Sequence, residues 1–303
     1  MANPGREFRL SSRRVALAAL LGASLEQARS AETSLRMGLS GSLAQDVNVV
    51  DARAAMTFWI RNLVTGMDFE VILDADLFDS APRLEARLRE GQLDAVGINF
   101  LEYRRMARLL DPRQIAIPVF RSRFEYVLLV AAGARLTALS GLAGQRLMML
   151  DSLAACAAPA WLNNLLAAES NGDRFFREVI RKTKPSQVIL PVFFGQAAAC
   201  LTTYQSFTTM AELNPQVGKR LRPLLVSPEV VHSLYAFRKG WNPPARDKVV
   251  RMFSKMDSTT VGRQVMTMFQ CDSLAVRDAS CLESTLAILA QSDRLAEAKG
   301  AGG

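Results

Sequence analysis

One feature constrains this chain more than any other: short apolar runs alternate with stretches of helical periodicity, and the alternation occurs twice. Residues 33–41 (TSLRMGLSG) read as a strand closing in a Gly-Ser turn. Residues 51–64 follow with Ala55, Phe58, Trp59 and Leu63 at helical spacing. Residues 69–73 (FEVIL) are a short buried strand, 81–90 an amphipathic helix stopped by Gly91, and 93–98 (LDAVGI) another strand. This β-α-β-α-β series predicts an α/β unit with a mainly parallel sheet. Strand-like runs at 115–120, 125–131, 146–150, 179–182 and 197–203, with helices near 154–168 and 186–195, predict a second such unit. Residues 221–226 and 235–238 return to strand, and the tail from about 244 to 298 reads as helical. Two α/β units in series predict two lobes. Ligands of open α/β sheets sit beyond the carboxyl ends of the strands, which places a ligand between the lobes.

The 303 residues are half hydrophobic, enough for two domains with real cores. Four cysteines exclude a disulfide-built miniprotein. One histidine, His232, excludes a His-rich metal site, and no CxxC, HExxH, Gly-x-Ser-x-Gly or P-loop pattern occurs. Asp74, Asp76 and Asp79 lack the Gly and Glu of a calcium loop and read as solvated loop acids. No metal site, catalytic residue or cofactor is expected. The net charge of +8 is dispersed; its densest groups, Arg104-Arg105 and Arg181-Lys182 with Lys184, are not interleaved with aromatics, so nucleic acid is not the expected partner.

Residues 1–31 read as an export signal. Arg6, Arg9, Arg13 and Arg14 precede an apolar run through Leu25, and Ala28-Arg29-Ser30 offers small residues for cleavage. An amphipathic first helix is the other reading. Ser12-Arg13-Arg14 partly matches the twin-arginine pattern, so both the general and the twin-arginine routes stay open.

Three local patterns carry a resemblance. They are Leu88-Arg89-Glu90-Gly91-Gln92-Leu93-Asp94-Ala95 followed by Tyr103; residues 139–147 (LSGLAGQRL); and Phe194-Gly195-Gln196-Ala197-Ala198-Ala199 with Val226-Ser227-Pro228. In order and spacing they resemble the substrate-binding proteins of phosphonate, phosphite and phosphate import systems, over about residues 35–274. The resemblance implies a two-lobed α/β fold of the type II periplasmic-binding class, with a ligand cleft between lobes and two crossover strands. The crossings fall near 118–123 and 218–228. Lobe 1 is then residues 32–120 plus 225–303, and lobe 2 residues 121–224.

The resemblance also implies where a ligand is held. Ser152, at a strand-to-helix turn, stands where the family grips phosphonate oxygens, although Asp151 or Ser152 equally reads as a helix cap. Tyr103 matches a family tyrosine facing the cleft, and otherwise reads as a half-buried aromatic. Ser122 lies on the first crossing. Ser40 and Ser42, with Gly41 between them, end the first strand and either reach the cleft or form a plain turn. The acid that pairs with a ligand ammonium in aminophosphonate binders is replaced around Thr203 and Tyr204, so hydroxyls of Thr202, Thr203 and Tyr204 suit a neutral or anionic ligand and 2-aminoethylphosphonate is not expected to bind. Cys271 and Cys281 are candidates for pairing in an oxidising compartment, with geometry deciding. His232 reads as structural, Trp59 and Trp161 as core, and Trp241 as part of a loop at the cleft rim.

The expected function is that of a periplasmic solute-binding protein: a monomer that closes its lobes on a small anionic ligand and presents it to the membrane permease of an ABC transporter. A soluble sensing partner of a membrane receptor kinase is the alternative. An enzyme is disfavoured for want of an acid–base or nucleophile constellation, and a DNA-binding regulator for want of a helix-turn-helix before the first strand.

Overall fold

The computed structural model describes residues 33–44, 71–167, 169, 174–244, 246–268 and 271–300. The leader at 1–31, the helix expected at 51–64 with Trp59, and the start of the strand expected at 69–73 lie outside the described residues.

The chain builds two sheets. The first is six-stranded, in the order β11-β4-β10-β3-β1-β2. Its strands are β1 (Thr33–Ser40), β2 (Val71–Phe78), β3 (Ala95–Asn99), β4 (Leu110–Val119), β10 (Ser233–Arg238) and β11 (Ser273–Arg277). The second is five-stranded, in the order β7-β6-β8-β5-β9. It contains β5 (Tyr126–Ala131), β6 (Arg146–Leu150), β7 (Glu178–Lys182), β8 (Ala199–Thr203) and β9 (Leu221–Val226). The chain leaves the first sheet after β4, enters the second at β5, leaves it after β9 and returns at β10. That double passage is the two-lobed architecture with two crossings that the family resemblance implies.

The sheets are mixed rather than mainly parallel. β1 pairs with β3 in parallel, but β10 runs antiparallel to both β3 and β4, and β11 antiparallel to β4. In the second sheet β6 is parallel to β7 and β8, while β5 is antiparallel to β8 and β9. The antiparallel pairs come from the strands flanking the crossings. A strand that returns from another sheet needs no right-handed β-α-β crossover and is free to run the other way.

Local chemistry explains the elements. In β5 (YVLLVA) the first five residues are buried, the continuous apolar run of a strand covered on both faces. Helix α1 (Ala81–Arg89) has Pro82 in its first turn and buries Leu84 and Leu88, four residues apart on one face; Gly91 follows at φ 72°, where a side chain would be strained. Helix α2 (Phe100–Met106) is closed by a capping box, in which Asn99 accepts from the Glu102 backbone and the Glu102 side chain accepts from the Asn99 backbone. A 3-10 turn at Leu153–Ala155 precedes α3 (Ala158–Leu166). Helices α4 (Pro185–Phe193), α5 (Tyr204–Leu213) and α6 (Pro215–Arg220) complete the second-sheet layer. The tail contains α7 (Arg246–Ser254), α8 (Thr260–Met268) and α9 (Glu283–Gly300), but it is not wholly helical, because β11 interrupts it.

Two acids pin the first sheet. Asp94, from the Gly-x-x-Asp pattern after α1, takes Arg36 Nε and Nη2 at 2.9 and 2.8 Å and so ties β1 to the strand beside it. Burial works to raise that carboxyl, and the Arg36 hydrogen bonds and charge overcome it, leaving it below the usual range. Asp111 meets Arg246 at 2.8 Å, both side chains under 10 % exposed, and binds Arg113 at 2.7 Å. Asp74 and Asp76 are exposed as expected, but they belong to strand β2 rather than a loop. Trp241 is buried rather than at a rim; it stacks on Phe237 at 5.2 Å within the core of the first sheet and α7. A second, larger core runs unbroken from Leu84 and Ile98 through Phe124 to the second sheet.

Candidate functional site

The carboxyl ends of β1 and β3 lie side by side, and they bring Ser40, Ser42 and Asn99 together. Ser40 Oγ donates to Glu102 Oε1 at 2.6 Å, and Ser42 Oγ donates to Glu102 Oε2 at 3.2 Å. The Asn99 backbone N–H donates to Oε2 at 3.0 Å, and Asn99 Nδ2 donates to Ser42 Oγ at 3.1 Å. Ser40 and Glu102 are both buried. Two sequence candidates therefore meet, and they meet over a carboxylate that the sequence reading did not single out. The readable signal was the capping box Asn99-x-x-Glu102.

Tyr103, next along α2, is 5 % exposed and packs on Phe100, with ring centroids 5.9 Å apart. Burial raises its hydroxyl pKa, with Cys281 adding to the effect.

The facing wall comes from the second sheet. Ser152 follows β6, half-buried, at the cap position of the turn Leu153–Ala155, yet its side chain makes no capping hydrogen bond. The start of α3 is held instead by Tyr126 Oη, which accepts from the Ala157 backbone at 3.2 Å. Cys156 lies between them. Burial pushes its thiol up to about 12, with the Glu102 charge among the lesser causes, so it stays a protonated donor. The two walls meet at one oxygen: the His232 carbonyl accepts from the Phe100 backbone at 2.9 Å and from Cys156 Sγ at 3.6 Å.

Thr203 ends β8 and caps α5. Its Oγ1 accepts from the Ser206 backbone at 3.0 Å and donates to Ser206 Oγ at 2.8 Å. Tyr204 is half-buried against Phe207. Its neighbour Thr202 is fully buried, and Thr202 Oγ1 has no partner among the described residues. Ser122 is exposed on the first crossing. There it lines a cavity of about 310 Å³ with Phe120, Arg123, Phe124, His232 and Arg277. His232 packs on Phe124 at 4.5 Å and its Nδ1 has no partner among the described residues; burial pushes its pKa down to about 4, so the ring is neutral near pH 7. Cys156, Cys200, Cys271 and Cys281 are all free thiols. Cys271 Sγ contacts Met266 Sδ at 3.5 Å. Among the described residues, no helix is long and apolar enough to cross a membrane.

The family described as ABC transporter, phosphonate, periplasmic substrate-binding protein matches residues 49–280. Solved structures with the same fold include XAC2383 from Xanthomonas citri bound to ATP, at 14% identity and TM-score 0.58, covering 88% of this chain and 98% of that one. PhnD1 from Prochlorococcus marinus in complex with methylphosphonate is 17% identical at TM-score 0.55, with 88% and 99% covered. A binding protein component of an ABC phosphonate transporter from Pseudomonas aeruginosa is 12% identical at TM-score 0.52, with 89% and 98% covered. At these identities the likeness is one of fold. No curated protein matches the chain.

Proposed function

The chain belongs to the periplasmic substrate-binding protein family of phosphonate ABC transporters, and from that premise we propose that it captures a small oxyanion-bearing solute between its two sheets and hands it to a membrane permease. The family is one of transport binding proteins rather than enzymes, and the periplasm is its compartment. The observation that carries the reading is the meeting of two walls at the His232 carbonyl. One wall bears Ser40 and Ser42 and the other Ser152, and among the described residues the chain links the sheets through the crossings at 120–125 and 227–232. Such a body opens and closes about two short segments, and a solute touching both walls favours the closed state.

In this reading lobe 1 is residues 32–120 plus 225–303 and lobe 2 residues 121–224, with the second boundary moved to 226 because β9 keeps Leu225 and Val226 in the second sheet. Ser152 and Ser122 supply hydroxyls to the ligand. Ser40, Ser42, Tyr103, Thr203 and Tyr204 shape the walls around it. Thr203 stands where an ammonium-pairing acid would be needed, so 2-aminoethylphosphonate is not a ligand. The chain reaches the periplasm on a leader within residues 1–31 and works there as a monomer.

A thermal-shift screen tests this with phosphate, phosphite, methylphosphonate, 2-aminoethylphosphonate and alkylsulfonates. A true ligand at one hundred times its Kd adds about 2.7 kcal/mol of stability. For a body of this size that raises Tm by roughly 5 °C or more. A flat response across the panel contradicts the proposal, and a clear shift with 2-aminoethylphosphonate contradicts the exclusion of that compound.

A further inference from the structure

The wall formed by β1, β3 and α2 has the parts of an oxyanion site: two serine hydroxyls and a backbone N–H converging at the carboxyl ends of parallel strands. A carboxylate already occupies those parts. Glu102 takes the hydrogen of Ser40 Oγ and the amide hydrogen of Asn99, and the hydrogen of Ser42 Oγ goes to Glu102 at 3.2 Å or to Ser40 Oγ at 2.9 Å. A serine hydroxyl has one hydrogen to give, so neither serine retains a donor for a ligand. Asn99 Nδ2 is engaged as well, on Ser42 Oγ. Among the described residues, no lysine or arginine pairs with Glu102. Among the described residues the wall therefore presents an unpaired carboxylate, with its donors turned inward.

Glu102 is also close to the other wall. Phe100, two residues before it, shares the His232 carbonyl with Cys156 of that wall. A solute between the walls would meet it at short range, where like charges repel strongly and few water molecules screen them.

Resting on the solute-binding reading above, we propose that Glu102 is the specificity-determining residue of this wall. Its carboxylate fills the oxyanion position from within, so the wall turns away a ligand oxyanion and meets an uncharged part of the solute. A solute that fits carries its negative group toward Ser152 and a neutral end toward Glu102. A small dianion, which needs donors on both walls, is rejected. Specificity of this kind comes from a built-in repulsion rather than an added attraction.

The test is calorimetric titration of inorganic phosphate, methylphosphonate and sulfate into the full-length protein and into Glu102→Gln and Glu102→Ala. The glutamine variant keeps a similar shape and an oxygen for Ser40 while removing the charge; the alanine variant frees the serine donors as well. Unliganded Tm and circular dichroism establish that each is folded. Oxyanion affinity is expected to rise about tenfold or more in both variants, in line with the removal of a like charge at contact range. Unchanged or weaker oxyanion binding in both, including no binding by any of the three proteins, overturns the assignment. The thermal-shift screen on the unaltered protein reports separately on whether it binds a solute at all.

Discussion

The two walls are built from the same kinds of residue and use them in opposite ways. On the first-sheet wall both serine hydroxyls are engaged: Ser40 and Ser42 are bound to Glu102 and, through Ser42, to Asn99. On the second-sheet wall Ser152 sits at a cap position without capping, while Thr203, fifty-one positions later, does cap. A hydroxyl at a strand's carboxyl end is thus not in itself a ligand contact. What separates the two uses is whether the fold has already given the hydroxyl a partner. Engaged hydroxyls should matter to stability and free ones to binding.

The largest expected effect lies at the floor where the walls meet. His232 is held neutral in the folded state, with a pKa near 4, while an unfolded chain takes up a proton near 6.5. Because the folded value is depressed, its contribution to stability is fully present above about pH 6.5 and is lost as pH falls toward 4. The loss is on the order of 3 kcal/mol. Urea unfolding between pH 4 and 7 should show this slope, and His232→Phe should flatten it; an equal slope in the variant would remove His232 as its source.

Next comes Ser40→Ala, which strips a buried carboxylate of a donor at 2.6 Å and should cost about 1–3 kcal/mol in urea unfolding at pH 7. A cost near zero would mean Glu102 draws its stabilisation elsewhere and would erase the contrast between the walls. Thr203→Ala removes a working cap and should cost about 1 kcal/mol. Ser152→Ala, by contrast, should change unliganded stability by less than about 0.5 kcal/mol, since no capping bond is lost. A cost as large as that of Thr203→Ala would show that the Ser152 hydroxyl has a structural partner after all.

Much of the fold was legible because its signals are local. Apolar runs such as YVLLVA, the Leu84/Leu88 spacing and the Gly91 stop are properties of a few adjacent residues. Strand β11 was not, since SLAVR is too short to show alternation and lies between helices. It is a strand because β4 offers it an edge. The antiparallel sense of β10 was hidden for a similar reason, being set by where the chain returns from the second sheet. At the site, the sequence located Ser40, Ser42 and Ser152 at strand ends, but whether each hydroxyl is engaged depends on residues far along the chain. Glu102 shows the difference most clearly. It is 62 positions from Ser40, and its capping-box spacing from Asn99 was visible, whereas its second role required β1 and β3 to be neighbours. The burial of Trp241 likewise follows from a stacked partner, Phe237, on the strand before it.

The most direct test is a titration of the strongest thermal-shift ligand into the unaltered protein and into Ser152→Ala. The account predicts one-to-one binding that weakens about tenfold in the variant, the loss of one hydrogen bond to a charged group. Equal affinity in the two proteins, or no heat of binding in either, would contradict a solute held at the second-sheet wall.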